Sequence, residues 1–244
     1  MAAGDALSEY ARIFDTVEVN ATFHALPAGS TVRGWYDRTP PEFRFALKVP
    51  REITHDLRLD WPAAETPTRQ FVERARLLEE KLGPLLVQLP PSFDANALNR
   101  RTLSTFLDAL PTHDLQVAVE LRGFGWAGEM LERELAERNV AWCLVDGFTR
   151  NARVLMFPAD FVYVRWNRSG RDFDGFSEIQ YDRSADLDWW TEVLSSMPAR
   201  VSTCWGFMAN EFAGHAPESL RMLCRRLGLS YVEPREVWTQ QALF

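Results

Sequence analysis

Val117-Ala118-Val119-Glu120-Leu121-Arg122 is a short apolar run that ends in charge, and its pattern sets the fold class. Side chains alternate across a strand, so Val117, Val119 and Leu121 take one face and Ala118 and Glu120 the other. A face of large aliphatic residues suits burial under helices. A face of small and charged residues suits the inside of a barrel that opens toward a ligand. Six other short apolar runs are Val17–Thr22, Phe45–Val49, Leu85–Leu89, Trp142–Asp146, Val162–Asn167 and Thr203–Met208, most of them with a polar or charged residue at or next to the end. Most stretches between them have helical period. This alternation predicts an α/β fold of parallel strands and crossover helices, a (β/α) barrel of triosephosphate-isomerase type.

The helices are expected from about Ala6 to Phe14, from an N-cap at Ser30 through Tyr36, and from Thr66-Pro67 to Leu82, with Gly83 as the stop. Others are expected near Leu103–Leu110, Gly128–Arg138, Asp186–Met197 and Pro217–Leu227, the last closed by Gly228. Two long connections, Pro50–Glu65 and Arg168–Ala185, follow strands and so belong to the face where such barrels carry their sites.

A closed barrel of this kind has eight strands, and seven runs are legible here. Val154–Phe157 leaves no room for a crossover helix before Phe161. The deficit is placed at the start, where the chain opens into a helix. Residues 1–244 are therefore expected to form one barrel domain that is short at its N-terminus. The runs Val17–Thr22 and Thr203–Met208 should border the gap. Either they pair directly, or the gap stays open and is covered by N-terminal residues or a partner.

A chain of 244 residues with 46% apolar content can bury a full core. The net charge of −7 disfavours a general nucleic-acid binder. Cys143, Cys204 and Cys224 are odd in number and widely spaced, which fits buried reduced thiols in a cytoplasmic protein. No signal peptide or membrane-length apolar run is legible. The sequence leaves oligomeric state open.

Strand parity also sorts the polar residues. Glu18, Asn20 and Thr22 share a face, as do Ala46 with Lys48 and Tyr163 with Arg165. Glu18, Asn20, Lys48, Gln88, Glu120, Asp146 and Arg165 should converge at the carboxyl ends of the strands. Lys48 and Arg165 should each lie within ion-pair reach of an inward carboxylate, because an isolated buried charge is costly. Cys143 is placed on the outward parity. Glu18, Glu120 and Asp146 are the candidate catalytic groups, and a pair of carboxylates suits acid–base work such as sugar hydrolysis. Asn20, Lys48, His55, Gln88, Arg165 and Asn210 are the candidate binding groups. Lys48 and Arg165 suit a phosphate or carboxylate, and a desolvated Lys48 also suits Schiff-base chemistry. No cofactor is called for; a site built from carboxylates alone would select Mg²⁺. The expected ligand is a small anion. The residues leave three functions open: a hydrolase of a phosphorylated or carbohydrate-like molecule, a nucleic-acid-binding or nuclease-like protein, and a binding module without catalysis.

The segments Thr16–Phe23, Phe43–Pro50, Thr54-His55, Gln88–Pro91, Val119–Arg122, Tyr163–Arg165 and Gly214–Pro217 together resemble the YecE-like family, domain of unknown function 72. The resemblance runs from about Leu7 to Leu229. It implies a (β/α) barrel and a distant likeness to metal-dependent endonuclease barrels; it implies no established activity. The family's opening strand, with a Gly-Thr-Ser-Gly-Trp-like motif, has no counterpart here. Ala21-Thr22-Phe23-His24 stands in place of Asn-Thr-Phe-Tyr, the region of Asn167 in place of His-Gly, and Ala209-Asn210 in place of Asn-Asn. By the resemblance, these departures imply altered or lost activity.

Overall fold

The computed structural model describes residues 3–149, 154–167 and 170–232. Seven strands form one sheet in sequence order: β1 Thr16–Val19, β2 Arg44–Lys48, β3 Leu82–Gln88, β4 Val117–Glu120, β5 Val140–Val145, β6 Phe161–Trp166 and β7 Thr203–Met208. Every neighbouring pair is parallel. No pairing joins β1 to β7. The sheet nearly closes into a barrel, with the place of one strand left open between them. Side chains of β6 still bond to β1 across the interior.

The open seam shows in the burial. β4 and β6 are buried along their whole length, whereas all of β1 is partly exposed and Thr203 and Cys204 of β7 are exposed. Among the described residues Cys204 is exposed, against the expectation of a buried thiol. Cys143 is buried and Cys224 half-buried.

The helices are α1 Ala3–Tyr10, α2 Ala21–His24, α3 Gly29–Asp37, α4 Glu65–Ala75, α5 Ala97–Ala109, α6 Glu129–Ala136, α7 Ser184–Ser195 and α8 Ala216–Leu227. Gly228 closes α8 in the left-handed conformation at φ 67°, as its position requires. The helix expected over Thr66–Leu82 is shorter. It starts with Ala64 as N-cap, tightens to a 3₁₀ turn at Arg76–Lys81, and breaks where Glu79 takes φ 49°. Gly83 lies within β3 and not at a helix end. A Cβ there would sit 3.2 Å from the Phe45 carbonyl oxygen and 3.3 Å from Trp205 Cη2, so the close approach of β2 and an indole explains the glycine. The N-cap of α3 is Ala28, not Ser30. Pro50–Glu65 packs as a wall of the barrel: Glu52–Asp56 form a π-helical turn, and Ile53, Thr54 and Leu59 are buried.

Two apolar clusters follow the strand parity. Val117, Val119, Val87, Leu85, Leu47, Leu144 and Val164 face outward and pack with helix residues such as Phe71, Leu103, Leu131 and Trp190. Ala46, Leu86, Ala118, Ala141, Cys143, Phe161 and Tyr163 fill the interior, with Trp205 and Phe207 against them. The small residues on β2, β4 and β5 make room for the large rings of β6 and β7. Cys143 is therefore inward, which corrects its expected outward parity. β5 ends at Val145, so Cys143 and Val145 share the inner face, and Trp142, Leu144 and the following Asp146 point outward.

Candidate functional site

The carboxyl ends of β1, β4 and β6 carry one buried ion network. Arg165 lies at its centre. Its Nη1 donates to Glu120 Oε2 at 2.6 Å and its Nη2 donates to Glu18 Oε1 at 2.8 Å. The second oxygen of Glu18 accepts from the Tyr163 hydroxyl at 2.7 Å. The second oxygen of Glu120 accepts from Gln88 Nε2 at 2.7 Å and from Arg122 at 2.7 and 2.8 Å. The register explains the meeting: Gln88 pairs with Glu120 across β3 and β4, and Arg165 occupies the same upper layer on β6. Glu120 is fully buried, and Arg122 reaches from it to solvent.

These neighbours set the charges. Burial pushes the Glu120 carboxyl up, but Arg165, Arg122 and the Gln88 amide outweigh it, so the group is held below the usual carboxylate range. Burial alone would loosen the proton of Arg165; Glu18 and Glu120 reverse this and hold it more firmly than usual. Burial chiefly, and the negative charge of Glu18 next, raise the Tyr163 phenol well above its ordinary value. Glu120 is thus held as an anion between two guanidinium groups and is no proton donor.

Lys48 differs from the expectation. Among the described residues no carboxylate lies within ion-pair distance of its Nζ. The ammonium instead sits over the Phe23 ring, 4.0 Å from the centroid. A ring face and partial solvent contact take the place of a counter-ion. Partial burial, together with Arg165 and Arg122, lowers its pKa, and Glu120 and Glu18 offset this only in part. Thr22 holds the end of β2 in place by donating its hydroxyl to the Lys48 carbonyl oxygen at 2.7 Å.

His55 stands on the same side. Its ring meets Phe23 edge to face at 5.1 Å between centroids, and its Nδ1 lies 2.9 Å from the Thr54 hydroxyl. Burial, Arg51 and Lys48 lower its pKa, so the imidazole is neutral at pH 7. Asn20 is exposed at the start of α2 and caps nothing with its side chain.

Two expected members lie elsewhere. Asp146 leaves the interior because it follows the outward parity of β5. Its carboxylate accepts from Arg183 at 2.7 Å and from the Trp190 indole at 2.9 Å, which ties β5 to α7. Asn210 caps α8, its Oδ1 accepting from the Ala216 amide at 2.9 Å. Arg122 and Tyr163 belong to the network but were not singled out as candidate site residues. Tyr163 was readable from its shared parity with Arg165. Arg122, two residues on, has the same parity as Glu120 but lies past the end of β4. Phe23 lies against Lys48 and His55, and Phe207 against Tyr163; the side chain of Phe124 lies outside the described residues. Trp126 stacks on Phe93, Trp166 meets Trp190, and Trp205 fills the barrel interior. Among the described residues, no three His, Cys, Asp or Glu side chains gather in a metal-binding group. Nor is any described helix long and apolar enough to cross a membrane.

The family model "Protein of unknown function DUF72" matches residues 1–242, so the chain belongs to that family. It is 34% identical to the UPF0759 protein YecE of Escherichia coli K12 over 145 residues, which is 57% of this chain. The same values hold for YecE of E. coli O157:H7. The match spans about half, 52%, of each of these relatives. The fold is similar to that of a DUF72 protein from Enterococcus faecalis, with a TM-score of 0.76 at 22% identity, covering 94% of this chain and 96% of that one. A DUF72 protein from Thermotoga maritima gives a TM-score of 0.63 at 24% identity, covering 86% and 82%.

Proposed function

We propose that this DUF72 member binds a small phosphate- or carboxylate-bearing molecule at the carboxyl mouth of its barrel, with Lys48 and Arg122 as the recognising groups. The supporting observation is the charge pairing. Three cations, Lys48, Arg122 and Arg165, meet two carboxylates, and both carboxylates are spent on guanidinium groups. A protonated Lys48 is surplus to the network, and an incoming anion would supply its counter-charge. Arg122 offers a partly exposed guanidinium beside it. Asn20 and His55 would contact the rest of such a ligand.

The pairing supports binding more than the acid–base half of the hydrolase expectation. A two-carboxylate hydrolase needs one carboxyl with a raised pKa as its proton donor, and Glu120 is held in the opposite direction. Glu18 and Glu120 therefore act as the frame that orients Arg165 and Arg122. The test is calorimetric titration with inorganic phosphate and with small sugar phosphates. Binding should occur and should weaken at high salt, and K48M should bind at least about tenfold more weakly, the loss of one charge-assisted contact. A parent protein that takes up none of these anions, or a K48M variant that binds them as tightly, would overturn this reading.

A further inference from the structure

The chain contains two lysines, Lys48 and Lys81; its other basic residues, histidine aside, are arginines. Lys81 has a structural task. It is buried, and its Nζ donates to the carbonyl oxygens of Tyr36 and Thr39 at 2.6 and 2.7 Å, closing the carboxyl end of α3. Lys48 has no such set of acceptors. Arginine serves as the cation throughout this protein, at the network centre and on the surface. At the mouth stands a lysine instead. The chemical difference that matters is that an amine can lose its proton and attack, and a guanidinium cannot.

We propose that Lys48 is a nucleophilic amine that forms an imine with an aldehyde or ketone carrying an anionic group. The geometry carries this. Lys48 ends a barrel strand at the face where such folds bring ligands. Its Nζ lies over the Phe23 ring, and among the described residues no carboxylate is within ion-pair distance of it. The positive charges of Arg165 and Arg122 disfavour its ammonium form, and the facing carboxylates of Glu18 and Glu120 are already engaged. Partial desolvation beside other cations is the condition that frees a lysine for carbonyl addition. The lowered pKa agrees with it.

The step balances without any further reactant. The ammonium gives one proton to His55, which is neutral and packs on the same Phe23 ring. The neutral amine then adds through its lone pair to the carbonyl carbon; the C–N bond forms, the carbonyl π pair moves to oxygen, and a second proton passes from that nitrogen to the alkoxide. The carbinolamine oxygen takes back the proton held by His55 and leaves as water while the nitrogen lone pair forms the C=N bond. The iminium nitrogen carries the positive charge that the ammonium carried before. The mouth thus has the same charge when it holds the adduct as when it holds the free ammonium. The proposal rests on the anion-binding reading only in assigning the ligand's anionic group to Arg122.

The test uses the whole chain and a reductive trap. The protein is incubated near neutral pH with glycolaldehyde phosphate or with glycolaldehyde, each with sodium cyanoborohydride, and the modified residues are mapped by mass spectrometry. A peptide spanning residues 45–51 serves as the reference amine and Lys81 as the buried control. Lys48 should be alkylated at least about tenfold faster than in the peptide, since each unit of pKa depression raises the free-amine fraction about tenfold at that pH. Lys81 should stay unmodified, and the phosphorylated aldehyde should react faster than the neutral one. Labelling of Lys48 no faster than the peptide overturns the proposal, even if calorimetry shows that phosphate binds. Fast labelling that is equal for both aldehydes and indifferent to added phosphate supports the reactive amine and overturns the anion reading instead.

Discussion

Replacing Arg165 with methionine is the most direct test of the network. The guanidinium makes one charged bond to Glu120 at 2.6 Å and one to Glu18 at 2.8 Å, and the side chain is almost entirely out of solvent. Methionine keeps the apolar stem and removes both bonds. Glu120 then keeps Arg122 and Gln88, and Glu18 keeps the Tyr163 hydroxyl. Breaking a buried ion pair from one side costs about 3–5 kcal/mol, because the other charge stays buried with fewer partners. A domain of this size loses about 2–4 °C of Tm per kcal/mol. R165M should therefore melt roughly 6–20 °C below the parent at pH 7. The pH dependence has a definite sign. The folded pKa of Glu120 is depressed, so its contribution is present above the unfolded carboxylate value, near 4.3, and is lost as pH falls through the folded value. R165M removes the largest source of that depression, so in the variant the loss should be smaller and complete at higher pH. The assay is differential scanning calorimetry between about pH 3 and 8. Neutralising the stranded groups in a triple variant, E18Q, E120Q and R165M, should recover much of the Tm, since replacing a whole buried network is often close to neutral. An R165M protein that melts with the parent across this range would show that the network contributes nothing to the fold.

K81M should cost about 2–4 kcal/mol in urea unfolding, because it leaves the buried carbonyl groups of Tyr36 and Thr39 without their donor; a change below about 0.5 kcal/mol would refute that role. In G206A, the new Cβ would lie 2.8 Å from Trp166 Cζ3, so overpacking should cost about 1–3 kcal/mol and shift the near-ultraviolet circular dichroism of the buried indole. The imidazole of His55 should titrate by NMR below its ordinary 6.5, and a phosphate bound beside it should move that titration upward. A midpoint that is unmoved by ligand would separate His55 from the site.

Seven parallel strands and the inward set Glu18, Lys48, Glu120 and Arg165 were legible in the sequence because alternation is a property of one strand at a time. A run such as Val117–Arg122 carries its two faces within itself, whatever it pairs with. Pairing between those inward groups was not legible. It depends on how far each strand is staggered against the next and on where each one ends, and both follow from closing the sheet. β5 packs with Ala141 and Cys143 inward, so the opposite parity carries Asp146 out to Arg183 and Trp190. Arg122 lies past the end of β4, and its guanidinium turns onto Glu120. Asn210 and Lys81 are engaged in closing helix ends, which no local pattern distinguishes from a binding asparagine or a surface lysine. The sequence by itself determined the seven strands and, outside β5, the polar residues that face the barrel axis. The tertiary structure decided which of them are neutralised there, and it left Lys48 over the Phe23 ring because the two carboxylates within the network had been taken by arginines.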